Sequence, residues 1–118
     1  MLRKKIMSFC IEKITLENEY YRRVVHTTKY QQLVIMSICD HIPEEIHKCN
    51  DQFLRIEKGK CLAKVDGEET ELEDGDSITI SAGSKHEIIN IGDEPLKLYT
   101  IYSPPHHPEG LCQKKRVV

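Results

Sequence analysis

The segment Gly75-Asp-Ser-Ile-Thr-Ile-Ser-Ala-Gly-Ser-Lys-His-Glu-Ile-Ile-Asn90 carries the clearest structural pattern in the chain. It reads as a strand, a glycine-hinged corner, and a second strand that opens with His86. Gly75 and Gly83 supply the positive φ or close backbone approach that a tight corner demands. His86 therefore follows a sharp turn, where its backbone is well held and its imidazole is placed to act as a ligand.

About thirty residues upstream lie Glu45, His47 and Gln52. With residues 44–48 extended, Glu45 and His47 project from one face, because side chains alternate with period two. Gln52 follows a short polar turn and can swing back toward them, or it can hydrogen-bond a backbone group as buried amides usually do. With His86 these residues make two imidazoles, one carboxylate and one amide oxygen. That donor set suits a divalent metal ion such as Fe, Mn, Ni or Zn. Glu44 is the neighbouring alternative to Glu45. Cys49 offers a second register with His47, but that register puts Phe53 or Leu54, which cannot ligate, in the fourth ligand's place.

The chain resembles the cupin superfamily at these same residues. The second cupin motif, G-x5-P-x-G-x2-H-x3-N, is met by Gly75, Gly83, His86 and Asn90, with Ser81 in the proline place. Counting back from Gly59 through the first motif, G-x5-H-x-H-x3-4-E-x6-G, puts Gln52 in the glutamate place, His47 in the second histidine place and Glu45 in the first. The segments around Arg22-Arg23-Val24, Gln32 to Ser37 and Leu96 to Pro105 are also similar to small bacterial-type single-domain cupins. The resemblance implies an all-β, antiparallel jelly-roll barrel with a metal held by Glu45, His47, Gln52 and His86.

The strand pattern agrees with that fold. Leu33–Ile38 is an apolar run fit for a buried strand, and Phe53–Glu57 begins an alternating one. Lys60–Val65 and Glu68–Leu72 flank Asp66-Gly67, a dipeptide that favours a type I′ hairpin. Ser77–Ile80, His86–Ile91 and Leu96–Tyr102 complete the series, with a turn at Gly92 to Pro95. Short strands at this interval, with no long amphipathic helix, indicate a jelly roll. Ile6 to Leu16 fits a short helix or an edge strand. The expected organisation is an N-terminal arm over 1–20, a barrel over 21–104 and a tail over 105–118.

Composition narrows the class. A chain of 118 residues has room for one core. Nineteen acidic against seventeen basic residues leave no field for holding nucleic acid. Arg3-Lys4-Lys5 and Lys114-Lys115-Arg116 read as solvated ends. No apolar run approaches the roughly 20 residues of a membrane span, and Met1 to Cys10 lacks the pattern of a secretory signal, so a soluble, cytoplasmic protein is expected. The five cysteines, Cys10, Cys39, Cys49, Cys61 and Cys112, are odd in number and form no Cys-x-x-Cys pair, so reduced thiols are expected. A homodimer paired through Ile11–Leu16 or Leu33–Ile38 would protect the sheet edges.

Three functions suit such a site: a metal-dependent isomerase acting on a small sugar or sugar phosphate, an Fe(II) dioxygenase, or a non-enzymatic small-molecule binder or sensor. Tyr99 and Tyr102, three apart, fall on opposite faces of their strand, so only one can face the ligand. An inward Gln52 implies an outward Arg55. His26 and His41 read as surface or interface residues. His106 and His107 follow Pro104-Pro105 and read as exposed unless that segment folds over the barrel mouth.

Overall fold

The computed structural model describes residues 6–116. One short helix, α1 (Ile11–Glu17), precedes ten strands: β1 (Arg22–Thr27), β2 (Gln32–Ile38), β3 (His41–Ile46), β4 (Asp51–Lys58), β5 (Lys60–Val65), β6 (Glu68–Glu73), β7 (Ser77–Ile80), β8 (Lys85–Asn90), β9 (Leu96–Ser103) and β10 (Cys112–Gln113). Two antiparallel sheets result, one of order β10-β1-β2-β9-β4-β7 and one of order β3-β8-β5-β6. This is the expected jelly roll. No helix among the described residues is long and apolar enough to cross a membrane.

Alternation along the central strands builds the interior. On β4, Gln52, Leu54 and Ile56 are buried while Phe53, Arg55 and Glu57 are only partly so; on β9 the buried set is Leu96, Leu98, Thr100 and Tyr102. Paired in register, with Gln52 opposite Tyr102 and Leu54 opposite Thr100, the two strands give a wall that is apolar at one end and polar at the other. Val34, Met36, Ile38 and Ile88 join the apolar end. The outward Arg55 pairs with Glu57 at 2.9 Å, as the phase of Gln52 requires, and Tyr99 packs on Phe53 with ring centres 6.2 Å apart.

β2 is buried along its whole length and is hydrogen-bonded to β1 on one side and β9 on the other. Leu33–Ile38 is therefore an interior strand and offers no edge for a partner chain. Its outer face is covered in part by α1, which packs against β9, β4 and β2. Seven residues cannot hold a helix by themselves, and Cys10 at the N-cap makes no side-chain bond, so burial of Thr15 and the docking of this face keep α1 in place. Arg3-Lys4-Lys5 lies outside the described residues.

The corners form where the glycines stand. Asp66 and Gly67 have φ of 48° and 85°, the two positive values of a type I′ turn. The C-terminal segment is tied down rather than solvated. β10 pairs with β1, the Tyr21 N–H donates to the Lys114 carbonyl at 3.2 Å, and the Arg116 guanidinium donates to Asp40 at 2.6 Å. That last bond, from Arg116, holds the Asp40 carboxyl down to about 2. Lys114 and Lys115 are exposed, but Arg116 is thus not a solvated end.

Gly59, between β4 and β5, has φ of 115°, and a Cβ there would lie 3.1 Å from Leu96 Cδ1 and 3.3 Å from Leu96 Cα. At Gly75 φ is 86° and a Cβ would meet nothing within 4 Å. Gly59→Ala should therefore destabilise the fold by roughly 2–4 kcal/mol, through overpacking added to backbone strain, and Gly75→Ala by only about 1 kcal/mol. Urea midpoints of the two variants check the order.

Candidate metal centre

The polar end of the interior is where the expected ligands meet. β3 would place Ile42 and Glu44 on one face if it were regular, but its register against β8 shifts between Ile42 and Glu45. The irregularity includes Pro43, which has no N–H to give to the ladder. Beyond it Glu45 is only partly exposed and stands directly opposite His86, while Glu44 is exposed and reaches out to Lys85 at 3.7 Å. The bulge thus selects Glu45 over Glu44.

β3 ends at Ile46, so His47 is not in the extended run expected for 44–48 but just beyond it, ahead of the turn at Lys48 and Cys49. That turn is pinned by the Gly83 N–H, which donates to the His47 carbonyl at 2.9 Å. The two corners, 47–50 and 81–84, hold each other, and both His47 and His86 are buried. Glu45 Oε1 lies 3.3 Å from His47 Nε2 and 3.8 Å from His86 Nε2. Together the three residues offer ligand atoms that all lie within 4.8 Å of one another. Cys49 is exposed and outside this group, so its alternative register is not the one adopted.

Hydrogen bonding leaves the inward atoms available. His86 Nδ1 is 3.1 Å from the Ser84 carbonyl, which can only accept, so Nδ1 carries the proton and Nε2 presents a lone pair. The Gln52 amide donates through Nε2 to Thr100 Oγ1 at 2.9 Å and to the Tyr102 hydroxyl at 3.3 Å. This fixes the amide, which uses side-chain partners rather than the backbone. His47 Nδ1 and Nε2, His86 Nε2 and Gln52 Oε1 are buried with no hydrogen-bond partner among the described residues. Each such atom costs about 1–3 kcal/mol if nothing occupies it; one imidazole offers a single lone pair, so His47 Nε2, His86 Nε2 and Gln52 Oε1 are the three atoms that could meet a bound ligand.

The donors fit a divalent ion. Bonds of about 2.0–2.2 Å at tetrahedral or octahedral angles set neighbouring ligand atoms roughly 2.8–3.6 Å apart; the Glu45–His47 contact of 3.3 Å falls within that span and the Glu45–His86 contact of 3.8 Å lies just outside it. Their charge states fit as well. Burial raises the Glu45 carboxyl, but contact with His47, then His86 and Arg22, outweighs it and holds the group below its ordinary value. Burial lowers the His86 imidazole, keeping it neutral and able to ligate at pH 7.

Tyr102 and His106, which the sequence left as alternatives, stand beside the site, and Gln32 and Asn50, which it did not single out, support them. Tyr102 is the inward member of its pair, 5.4 Å from His47 between ring centres, and burial raises its hydroxyl. His106 is exposed, yet its ring centre is 4.1 Å from His47 and 5.3 Å from Tyr102. Two buried amides hold it there. Gln32 Oε1 accepts the backbone N–H groups of His106 (3.1 Å) and His107 (2.9 Å), and Gln32 Nε2 donates to the His107 carbonyl at 2.7 Å. Asn50 donates to the carbonyls of Pro104 and Pro105 at 2.6 and 3.2 Å. Residues 104–107 therefore fold over the barrel mouth. His26, stacked on Phe9, and His41, beside Asp40, take no part.

A family model described as the cupin domain matches residues 33–102. Protein L612 of Acanthamoeba polyphaga mimivirus is 46% identical over 112 residues, covering 90% of this chain and 70% of that protein. YrkC of Bacillus subtilis is 41% identical over 114 residues; the match covers 90% of this chain and 61% of YrkC, so this chain spans less than two thirds of that relative. The crystal structure of BH2720 from Bacillus halodurans superposes with a TM-score of 0.90 at 38% identity, covering 92% of this chain and 88% of that one.

The linkage has a definite sign. Metal binding requires neutral imidazoles and an ionised carboxylate, so protons compete with the ion and acidification releases it. Because the His86 and Glu45 groups both titrate below their ordinary values, half-release at excess metal should fall below the ordinary histidine value of about 6.5. Bound metal followed by equilibrium dialysis from neutral to acidic pH measures the midpoint.

Proposed function

The chain belongs to the cupin family, and on that premise we propose that it holds one divalent metal ion through Glu45, His47 and His86, with Gln52 Oε1 as a fourth donor. The observation that carries this reading is the approach of one carboxylate oxygen to two imidazole Nε2 atoms that have no other partner. Fe, Mn, Ni and Zn all suit the set. When bound, the ion supplies Lewis-acid polarisation of a substrate oxygen and leaves coordination positions for it.

The residues around the ligands favour proton-transfer chemistry on a small polar organic molecule, of the kind an isomerase performs. His106 is the group that moves the proton. Burial and then the neighbouring His47 lower its imidazole, so it is neutral at pH 7 and can accept a proton from substrate. Tyr102, held neutral and bonded to Gln52, orients the amide. Gln32 and Asn50 fix the segment that carries His106.

A second reading has its own observation. Two histidines and one carboxylate are the ligand type of non-haem Fe(II) dioxygenases. Oxygen uptake by the iron-loaded protein favours that reading, aldose–ketose interconversion favours the isomerase, and ligand binding without turnover favours a sensor or carrier. The homodimer expected from the sequence is retained as a proposal through the N-terminal arm, where Ile6, Met7, Phe9 and Leu16 are exposed. Light scattering gives its mass.

His47→Ala and His86→Ala should each lower metal content sharply with little change in far-ultraviolet dichroism, and Cys49→Ser should leave it unchanged. His106→Ala should keep the metal and lower turnover by about 100-fold or more. Elemental analysis of protein purified without a chelating tag checks the first three. Full occupancy in the double variant of His47 and His86 would contradict the ligand assignment.

A further inference from the structure

Beside Glu45 lies a cavity of about 170 Å³, lined by Tyr21, Arg22, Ile42, Glu45, Gln113 and Arg116 among others. It shares the residue Glu45 with the candidate metal centre. Its volume is below the roughly 300–1,000 Å³ that encloses a drug-sized ligand, so it takes one end of a small molecule.

The charges lining it are unequal. Arg116 is neutralised by Asp40 at 2.6 Å. Arg22, from β1, donates through Nη1 to the neutral Gln113 Oε1 at 2.8 Å, and its buried Nε has no partner. It forms no ion pair among the described residues. Its guanidinium carbon lies 5.1 Å from the centre of the Tyr21 ring, a cation–π contact that offsets part of the cost of burial but supplies no negative charge, so an anion would complete the group. The centre itself adds to the deficit, because a divalent ion with one carboxylate, two neutral imidazoles and an amide keeps one positive charge. Arg22 raises that to two. Its charge reaches the site: after burial, Arg22 is the largest influence holding the His107 imidazole down to about 4.

A larger depression of about 440 Å³, lined by Lys64, Lys85, Glu44, Asp66 and Glu87 together with His86, has no such excess. Lys85 is paired with Glu44 there, and its backbone N–H donates to Asp66.

We propose that the site takes a small organic acid, whose carboxylate docks on Arg22 in this cavity while another of its oxygens faces Glu45, His47 and His86. The proposal rests on the metal-centre reading above. The planar guanidinium matches a carboxylate with two parallel N–H donors, which a lysine in its place would not offer. Arg22 is then the residue that selects acids over neutral sugars, a part for which Arg55 is turned the wrong way.

The test is calorimetric titration of the manganese-loaded full chain with malonate, with neutral malonamide, with inorganic phosphate and with azide. Malonate should bind and malonamide should not. In Arg22→Gln, malonate should weaken by about tenfold or more, whereas azide, which meets the metal alone, should change by less than about threefold. Arg22→Lys should fall between, and it carries the comparison if Arg22→Gln lowers the melting temperature. Unchanged malonate affinity in both variants, with manganese stoichiometry intact, would overturn the assignment while leaving the metal centre in place. Phosphate binding more tightly than malonate, with the same dependence on Arg22, would overturn the carboxylate class. Absence of bound manganese in the unsubstituted chain would remove the metal-centre reading and this assignment with it.

Discussion

The contact of one carboxylate, Glu45, with the two imidazoles of His47 and His86 is the constraint to which the polar half of the barrel is fitted. Each of the three comes from a different local device: a bulge around Pro43, the end of β3 just before the turn at Lys48 and Cys49, and the Gly83 corner before β8. None of these devices places a ligand usefully without the others. The Gly83 N–H bond to the His47 carbonyl couples two of them, and the Glu45–His86 register couples the third. Beside the cluster, the Gln52 amide nitrogen is bonded to Thr100 and Tyr102, while its Oε1, like the imidazole nitrogens of His47 and His86 Nε2, has no partner among the described residues. A barrel that only needed to fold would have filled this end with aliphatic side chains, as it fills the other.

Much of this architecture can be read from the chain. Periodicity locates β5 and β7 to the residue and places β4, β6, β8 and β9 within one or two. Asp66-Gly67 announces its own turn. The inward face of β4 follows from alternation alone, and with it the outward direction of Arg55. β1 and β10 are less legible, because β1 mixes polar and apolar residues without a strict period and β10 is two residues long, defined only by its pairing.

The site is legible where it depends on local chain direction and hidden where it depends on distant contacts. His86 is announced by the glycine turn before it. Glu45 against Glu44 turns on a bulge that the charged run Glu44-Glu45 does not encode by itself. His106 stands beside His47 because Gln32 and Asn50, separated from it by more than fifty residues, clamp the backbone around it. A polar residue heading the apolar run of β2 was the available signal for that clamp. Arg22 looks like one of many surface cations until β10 and β3 close around it. In each case the missing information is tertiary: which element covers a residue, rather than which conformation the residue adopts.

The central claim is that Glu45 and the buried imidazoles of His47 and His86 hold one metal ion. Anomalous diffraction from crystals of the manganese-loaded protein tests it most directly. The account predicts a single peak per chain at the manganese edge, about 2.0–2.3 Å from Glu45 Oε1, His47 Nε2 and His86 Nε2, with Gln52 Oε1 turned toward it. A peak bound only by His106 and His107, or no peak within reach of His86, would contradict it.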